Sequence, residues 1–321
     1  MLHRFAPALH ATGRFLREVG GVYLTLLRVM VPALVVVKAL DMAGATAWLA
    51  QGLSPLMQLV GLPDAMGIVW AAGMLVNIYT ALVVYVDVAA SVPLSVAQAS
   101  VLGTMILVAH SLPVEGAVAR ATGVAWGATL ALRLGGALVL GALLNLAYRA
   151  GDFLQQPARL LWQPAARADT LAAWALEQAQ MLVMVFFIIA ALMALLRLLR
   201  ALGIERLMHA LLAPLLRVIG IGREAANVTI IGATLGISFG AGLLIREARS
   251  GQLSRRDIFL TMSFLGLCHS LIEDTLLIVL IGADLSAILW ARLAFAVLVT
   301  AALARLLRNE RASPDIAAKT P

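Results

Sequence analysis

The chain has 321 residues, of which 62% are hydrophobic and only 13% charged, with a net charge of +7 at neutral pH. So little polar surface cannot coat a water-soluble globule of this size, which leaves a polytopic integral membrane protein. The basic residues form no aromatic-interleaved stripe for tracking a nucleic acid but flank apolar segments as topology determinants, and the one cysteine, Cys268, excludes an intrachain disulfide.

Residues 1–19 set His3, Arg4, His10, Arg14 and Arg17 among Phe5, Leu9, Phe15 and Leu16 without a small-residue cleavage pattern. This predicts a basic amphipathic N-terminal helix on the cytoplasmic face. A first span is expected over roughly 20–40, followed by a different kind of apolar stretch, 65–86, that carries Gly67, Gly73 and Asn77. Spans over 97–121 and 124–147 come next, then a linker, 149–179, with Pro157, Trp162, Pro164 and Trp174, read as an external interfacial segment. The order then repeats: a span over 180–199, a stretch 224–245 dense in Gly232, Gly236, Gly240, Gly242, Thr229, Thr234 and Ser238, and spans over 257–281 and 286–305. A tail, 309–321, follows Arg305 and Arg308 and carries Arg311.

An ungapped shift of 159 positions lays His110-Ser111-Leu112 on His269-Ser270-Leu271. The same shift carries Gly44 onto Gly203, Pro55 onto Pro214, Gly61 onto Gly220, Gly73 onto Gly232, Gly123 onto Gly282 and Arg133 onto Arg292. One apolar unit is therefore used twice, as 20–148 and as 180–308. Arg197, Arg200, Arg206, Arg217 and Arg223 precede the 224–245 stretch and Arg246, Arg249, Arg255 and Arg256 follow it, so both of its flanks read as cytoplasmic. A segment with both ends on one side has not crossed and is read as a re-entrant helical hairpin. The equivalent flanks in the first unit, 38–64 and 87–97, hold Lys38 against Asp41, Asp64 and Asp87 and read as external.

The expected fold is all-α: a polytopic helical membrane protein of two inverted-topology repeats, each with three spans plus one re-entrant helical hairpin. An odd number of crossings turns the second copy over and puts both termini in the cytoplasm. Arg149, Arg159 and Arg167 in the linker run against this topology and are partly balanced by Asp152, Asp169 and Glu177. The alternative, eight plain spans with parallel repeats, places one arginine-rich loop outside.

Ionisable groups at membrane depth cost a few kcal/mol each and need a partner, a wet cavity or a function. His110-Ser111 with Glu115, and His269-Ser270 with Glu273 and Asp274, recur at equivalent depth in the two units. On a continuous helix His269 and Glu273 share a face, as do Ser270 and Asp274. Arg133 and Arg292 are expected to form structural ion pairs with Glu115, Glu273 or Asp274. The hairpin tips, near Asn77 and Ser238, offer helix N-termini to polar ligands. Asn77, His110, Ser111, Glu115, Ser238, His269, Ser270, Glu273 and Asp274 are thus the candidate substrate or ion contacts. A structural hydrogen-bond knot pinning a broken helix is the competing account. A metal reading draws on His269 and Glu273 with Cys268 and Met262, although consecutive helical residues point about 100 degrees apart and Cys268 and His269 do not readily share an ion. With no nucleophile elbow, phosphate loop or zinc-spaced cluster, neither an enzyme nor a cofactor is expected.

The stretch Gly232 to Gly242 followed by Cys268-His269-Ser270-Leu271-Ile272-Glu273-Asp274-Thr275 resembles the nucleoside-recognition, or Gate, domain. That domain is found in spore maturation proteins A and B and in the membrane part of ferrous-iron transporter B proteins, and more distantly in concentrative nucleoside transporters. The resemblance covers 180–305 well and 20–148 more weakly, where Pro113-Val114-Glu115 stands in place of Ile272-Glu273-Asp274. It implies a substrate site between paired hairpins and broken helices, with Asn77, Ser238, Glu115, Glu273 and Asp274 as contacts. Three functions follow as expectations: an inner-membrane secondary transporter or permease for a small polar solute, coupled to an ion; a non-transporting membrane scaffold of spore-maturation type; and a divalent-metal permease. The partners expected are the lipid bilayer and a small polar solute or ion, with no nucleic acid, and a homo-oligomer is compatible with the sequence.

Overall fold

The computed structural model describes residues 6–159, 170–251 and 253–309. Among them the chain is helical, with no β-strand and one isolated bridge pairing Ser95 with Pro157. The first unit contains α1 (Ala6–Met42), α2 (Ala45–Leu59), α3 (Met66–Leu75), α4 (Ile78–Ala89), α5 (Val96–Ala109), α6 (Leu112–Ala121) and α7 (Trp126–Ala150). The second contains α8 (Leu171–Ala201), α9 (Ile204–Val218), α10 (Arg223–Leu235), α11 (Ile237–Arg249), α12 (Arg255–Leu267), α13 (Glu273–Val279), a π-helical turn (Ser286–Ala291) and α14 (Arg292–Asn309).

The elements recur at the sequence offset. Adding 159 to the bounds of α2 gives those of α9, and the backbone repeats with them. Positive φ occurs at Gly44 and Gly203, Gly61 and Gly220, Gly123 and Gly282, and Ser111 and Ser270. At Gly61, Gly123 and Gly220 the reason is local. Each follows a helix, and the next residue's N–H reaches five residues back (Leu62 to Met57, Val124 to Ala119, Ile221 to Leu216), closing a Schellman end that needs a left-handed residue.

Among the described residues, five segments are long and apolar enough to cross a bilayer: Gly13–Met42, Val96–Ala121, Trp126–Ala150, Leu171–Ala201 and Ser286–Leu307. Their outward faces expose Leu24, Val36, Leu143, Leu146, Phe187 and Leu198, as suits a surface that meets lipid rather than water. The structure differs from the sequence reading in several places. Helix α1 runs unbroken from Ala6 into the first span, so residues 6–19 are its opening turns and no separate amphipathic helix. Gly20-Gly21 lowers helix propensity there without a capping residue to end the helix. The stretches 97–121 and 257–281 are each two helices, broken at His110-Ser111 and at 268–272, so His269 and Ser270 share no helical face with Glu273 and Asp274. The 257–281 stretch is not among the five apolar segments, because α13 is only 7 residues long. Finally, α7 and α8 extend into the 149–179 linker, of which 160–169, with Trp162, Pro164, Arg167 and Asp169, lie outside the described residues, as does the tail from 310.

The 65–86 and 224–245 stretches are also helix pairs. Helices α3 and α4 meet at Val76-Asn77 and pack together; α10 and α11 do so at Gly236. At 10 to 13 residues each, these arms reach about 15–20 Å and none crosses alone. Helices α2 and α9 occupy ground expected to be flanking loop.

The first helices of the two units, α1 and α8, pack against each other and run antiparallel. Near the start of α1, Glu18 pairs with Arg197, whose guanidinium also covers the Phe15 ring at 4.7 Å. In mid-helix, Tyr23 donates to the Leu182 carbonyl at 2.9 Å and stacks edge-on with Phe186. Near the end, Lys38 lies over Trp174 at 5.6 Å.

Candidate functional site

The site is built where the two broken helices meet. Helix α5 ends at Ala109 because His110 is extended (φ −90, ψ 164) and Ser111 is left-handed (φ 49). Pro113 then opens α6, a position where its missing N–H costs nothing. The freed backbone is tied to the α3–α4 junction: Ser111 N–H donates to Gly73 O at 2.9 Å and its hydroxyl to Val76 O at 3.3 Å. The second unit repeats this with Leu271 N–H donating to Ala233 O at 2.9 Å. A Cβ on Gly232 would lie 2.7 Å from Leu265, and one on Gly73 3.1 Å from Ala81, so these glycines let the helices close up around the breaks.

The breaks bring His110 and His269 together. Their Nε2 atoms lie 3.3 Å apart and their ring centroids 5.0 Å apart. Each ring is held from behind by its own helix, His110 Nδ1 at 3.0 Å from Ile106 O and His269 Nδ1 at 2.7 Å from Leu265 O. A carbonyl only accepts, so each Nδ1 carries a ring proton, and in the neutral ring each Nε2 then presents a lone pair to the centre. Glu115 Oε1 lies 3.4 Å from the first Nε2 and 3.2 Å from the second. Asp274 Oδ2 lies 3.5 and 3.9 Å from the same two atoms. Both imidazoles, Glu115 and Asp274 are buried.

Arg133, from α7, supports this group. Its Nη1 donates to Glu115 Oε2 at 2.6 Å and its Nε to Val108 O at 2.8 Å. Gly136 and Gly266 permit the approach of α7 to α12: a Cβ at the first would meet Leu267 at 2.8 Å, and at the second the Arg133 stem at 3.5 Å. Arg292 departs from the expected pairing. It is fully buried, donates from Nη2 to Thr275 Oγ1 at 3.3 Å, leaves Nε and Nη1 without hydrogen-bond partners, and has no carboxylate within ion-pair distance among the described residues. Asp274, its sequence candidate, turns toward the imidazoles instead.

The structure therefore gathers His110, His269, Glu115 and Asp274 and flanks them with Ser111, Ser270 and Arg133. It sends two predicted contacts elsewhere and leaves a third undescribed. Glu273 accepts from Tyr79 Oη at 3.1 Å and stands apart from the imidazole pair. Asn77 is occupied as the N-cap of α4, its Oδ1 taking Thr80 N–H at 2.8 Å and Thr80 Oγ1 at 3.1 Å. Ser238 lies in the first turn of α11, and its side chain falls outside the described residues. Sequence reasoning missed Tyr79 and Thr275. A hydroxyl within an apolar helix, at the same depth as a carboxylate, was the available signal for both. Beside Tyr79, an apolar cavity of about 140 Å³ opens between Val83, Val86, Met181, Val185 and Leu277.

Buried ion pairs, broken helices and lipid-facing flanks define a polytopic helical membrane protein. The chain is 30% identical over 292 residues to the uncharacterized membrane protein YvoD of Bacillus subtilis (strain 168), covering 90% of this chain and 92% of that one, and it belongs to the same family. No family model matches the chain, and no solved structure does.

Proposed function

We propose that this protein is a secondary transporter of the cytoplasmic membrane that passes a small polar solute or ion between two inverted repeats. The observation that carries the reading is the meeting of His110 with His269, residues 159 apart in sequence, at an Nε2–Nε2 distance of 3.3 Å in a buried site. Equivalent residues touch only near a two-fold axis. The antiparallel run of α1 and α8, seen in the Glu18–Arg197, Tyr23–Leu182 and Lys38–Trp174 contacts, supports an axis lying in the membrane plane. A central site on such an axis is seen equally by both sides, and exchanging the conformations of the two halves opens it first to one and then to the other.

The helix pairs α3–α4 and α10–α11 act as re-entrant hairpins that hold the broken spans, as the hydrogen bonds from Ser111 to Gly73 and from Leu271 to Ala233 suggest. The resemblance of the second unit to the Gate domain agrees with this arrangement. The arginine-rich ends of α8, α9 and α11 face the cytoplasm together with both termini. The test is flux in liposomes holding the purified protein, challenged with nucleosides, organic acids and divalent metals. Transport by the wild type that Asp274→Asn abolishes, in a protein that still unfolds cooperatively, supports the reading. Absence of flux and of binding across the whole panel assigns the chain to the scaffold class, in which the buried cluster only pins the helices.

A further inference from the structure

With both imidazoles neutral and both carboxyls ionised, four acceptor atoms converge where the broken helices meet, with no donor among them. Both Nδ1 atoms are committed to the carbonyls of Ile106 and Leu265, so both Nε2 atoms offer lone pairs. Glu115 Oε1 and Asp274 Oδ2 complete the group, and as carboxylate oxygens they also only accept. Acceptors packed this closely in a buried site repel one another, and a cation among them converts that repulsion into coordination.

The spacings are compatible with a small tetrahedral cation. A tetrahedral ion with metal–ligand bonds of about 2.0–2.2 Å holds its ligand atoms roughly 3.3–3.6 Å apart. The distances between the two Nε2 atoms and from each to Glu115 are 3.3, 3.4 and 3.2 Å, and those to Asp274 are 3.5 and 3.9 Å. His110, His269 and Asp274 alone already place three ligand atoms within 4.8 Å of one another.

We propose that His110, His269, Glu115 and Asp274 form a coordination site for a tetrahedral first-row divalent metal ion of the zinc type, two ligands from each repeat. The surrounding shell is the one such a site requires. Each ligating imidazole donates its other N–H to a backbone carbonyl, fixing tautomer and ring angle, and Arg133 holds the second oxygen of Glu115 at 2.6 Å. Two imidazoles in a four-ligand set disfavour magnesium and calcium, which take six or more oxygens. The ligand set differs from the one drawn from sequence: Glu273 is bound to Tyr79, and Cys268 is not one of the converging ligands.

The charges suit a cation. The buried guanidinium of Arg133 matches Glu115, while Asp274 feels both the buried guanidinium of Arg292 and the neighbouring carboxylate of Glu273, so the fixed charges around the site leave an excess of negative charge that a bound cation offsets. The assignment names the solute class of the transport reading and rests on it for the ion's movement, though not for its binding.

The experiment uses the full chain in lipid nanodiscs, stripped of metal and titrated with Co²⁺, whose ligand-field absorption is intense only in tetrahedral sites. One equivalent per chain is expected to give that band without a thiolate charge-transfer feature, and Zn²⁺ is expected to displace it. Asp274→Asn keeps side-chain volume and removes a charged ligand. It should weaken Co²⁺ binding by at least the ~100-fold upper range seen when only an outer-shell partner is lost. His269→Asn should do the same, while Glu273→Gln keeps the band. A wild type that shows no band and no Zn²⁺-dependent rise in unfolding temperature overturns the assignment and leaves a shared proton as the occupant. A band that survives in both Asp274→Asn and His269→Asn overturns the ligand set. Zn²⁺ flux into liposomes is read separately: an ion bound but never carried sinks the transport reading and spares the site, whereas carriage of another solute by protein that binds no metal does the reverse.

Discussion

Arg133 is 1% exposed and Glu115 3%, and the 2.6 Å contact between them is the shortest route by which either buried charge is neutralised. Such a pair contributes little net stability against an apolar replacement, but losing one member strands the other. Glu115→Ala is therefore expected to destabilise the protein by about 3–5 kcal/mol, and adding Arg133→Leu to recover most of the loss, a coupling that a double-mutant cycle of unfolding in detergent measures. No recovery would mean that Arg133 is held by Val108 O, with Glu115 incidental. This pair was legible in the sequence, since a basic and an acidic residue recur inside apolar stretches where each is costly alone. Arg292 was not. Its expected partner Asp274 is drawn to a pair of imidazoles contributed by both repeats, a competition visible only once two distant segments are in contact.

The interruptions at His110-Ser111, 268–272 and Gly236 decide what the helices can do, and they were unequally visible. Pro113 signals the first break and glycine density the third, whereas Cys268 to Ile272 contains no helix breaker and reads as continuous span. What breaks it is tertiary: Leu271 N–H finds the Ala233 carbonyl instead of one in its own helix. Gly236 (φ 87, ψ 160) sits in a backbone region open essentially to glycine alone, with the Ser270 Cβ 3.5 Å from where its own would be. Gly236→Ala should therefore cost about 1–3 kcal/mol. Gly242, in the interior of α11, has open space around a would-be Cβ and no positive φ. Gly242→Ala should stabilise by about 0.5–1 kcal/mol. Thermal unfolding of the two variants in the same detergent checks the opposite signs. Equal effects would mean that the α10–α11 junction is not a constrained turn.

Across the whole molecule, charge is sorted to two ends. At one, Glu18 and Arg197 pair, Arg256 donates to Gly220 O at 2.8 Å and to Ala304 O at 3.1 Å, and the ends of α9, α12 and α14 are thereby brought together. At the other, Lys38, Asp41, Asp87 and Trp174 line one small cavity. Helix composition, repeat length and this sorting were all readable from sequence, because hydropathy and arginine placement are local properties. That α1 and α8 touch each other was not, because the residues that join them, Glu18 with Arg197, Tyr23 with Leu182 and Lys38 with Trp174, lie in different repeats and carry no local sign of their partners. If the arginine-rich end is cytoplasmic, Ala90, beyond the end of α4, faces outward and Ser250, beyond the end of α11, faces inward, although 90 and 249 are equivalent positions at an offset of 159. Both residues are exposed, and the native Cys268 is buried, so single cysteines at the two positions report without background. In intact cells a membrane-impermeant maleimide is expected to label Ala90→Cys at once and Ser250→Cys only after permeabilisation. Labelling of both from the same side would make the repeats parallel, remove the two-fold axis from the membrane plane, and leave the imidazole pair without the symmetric access that transport through it requires.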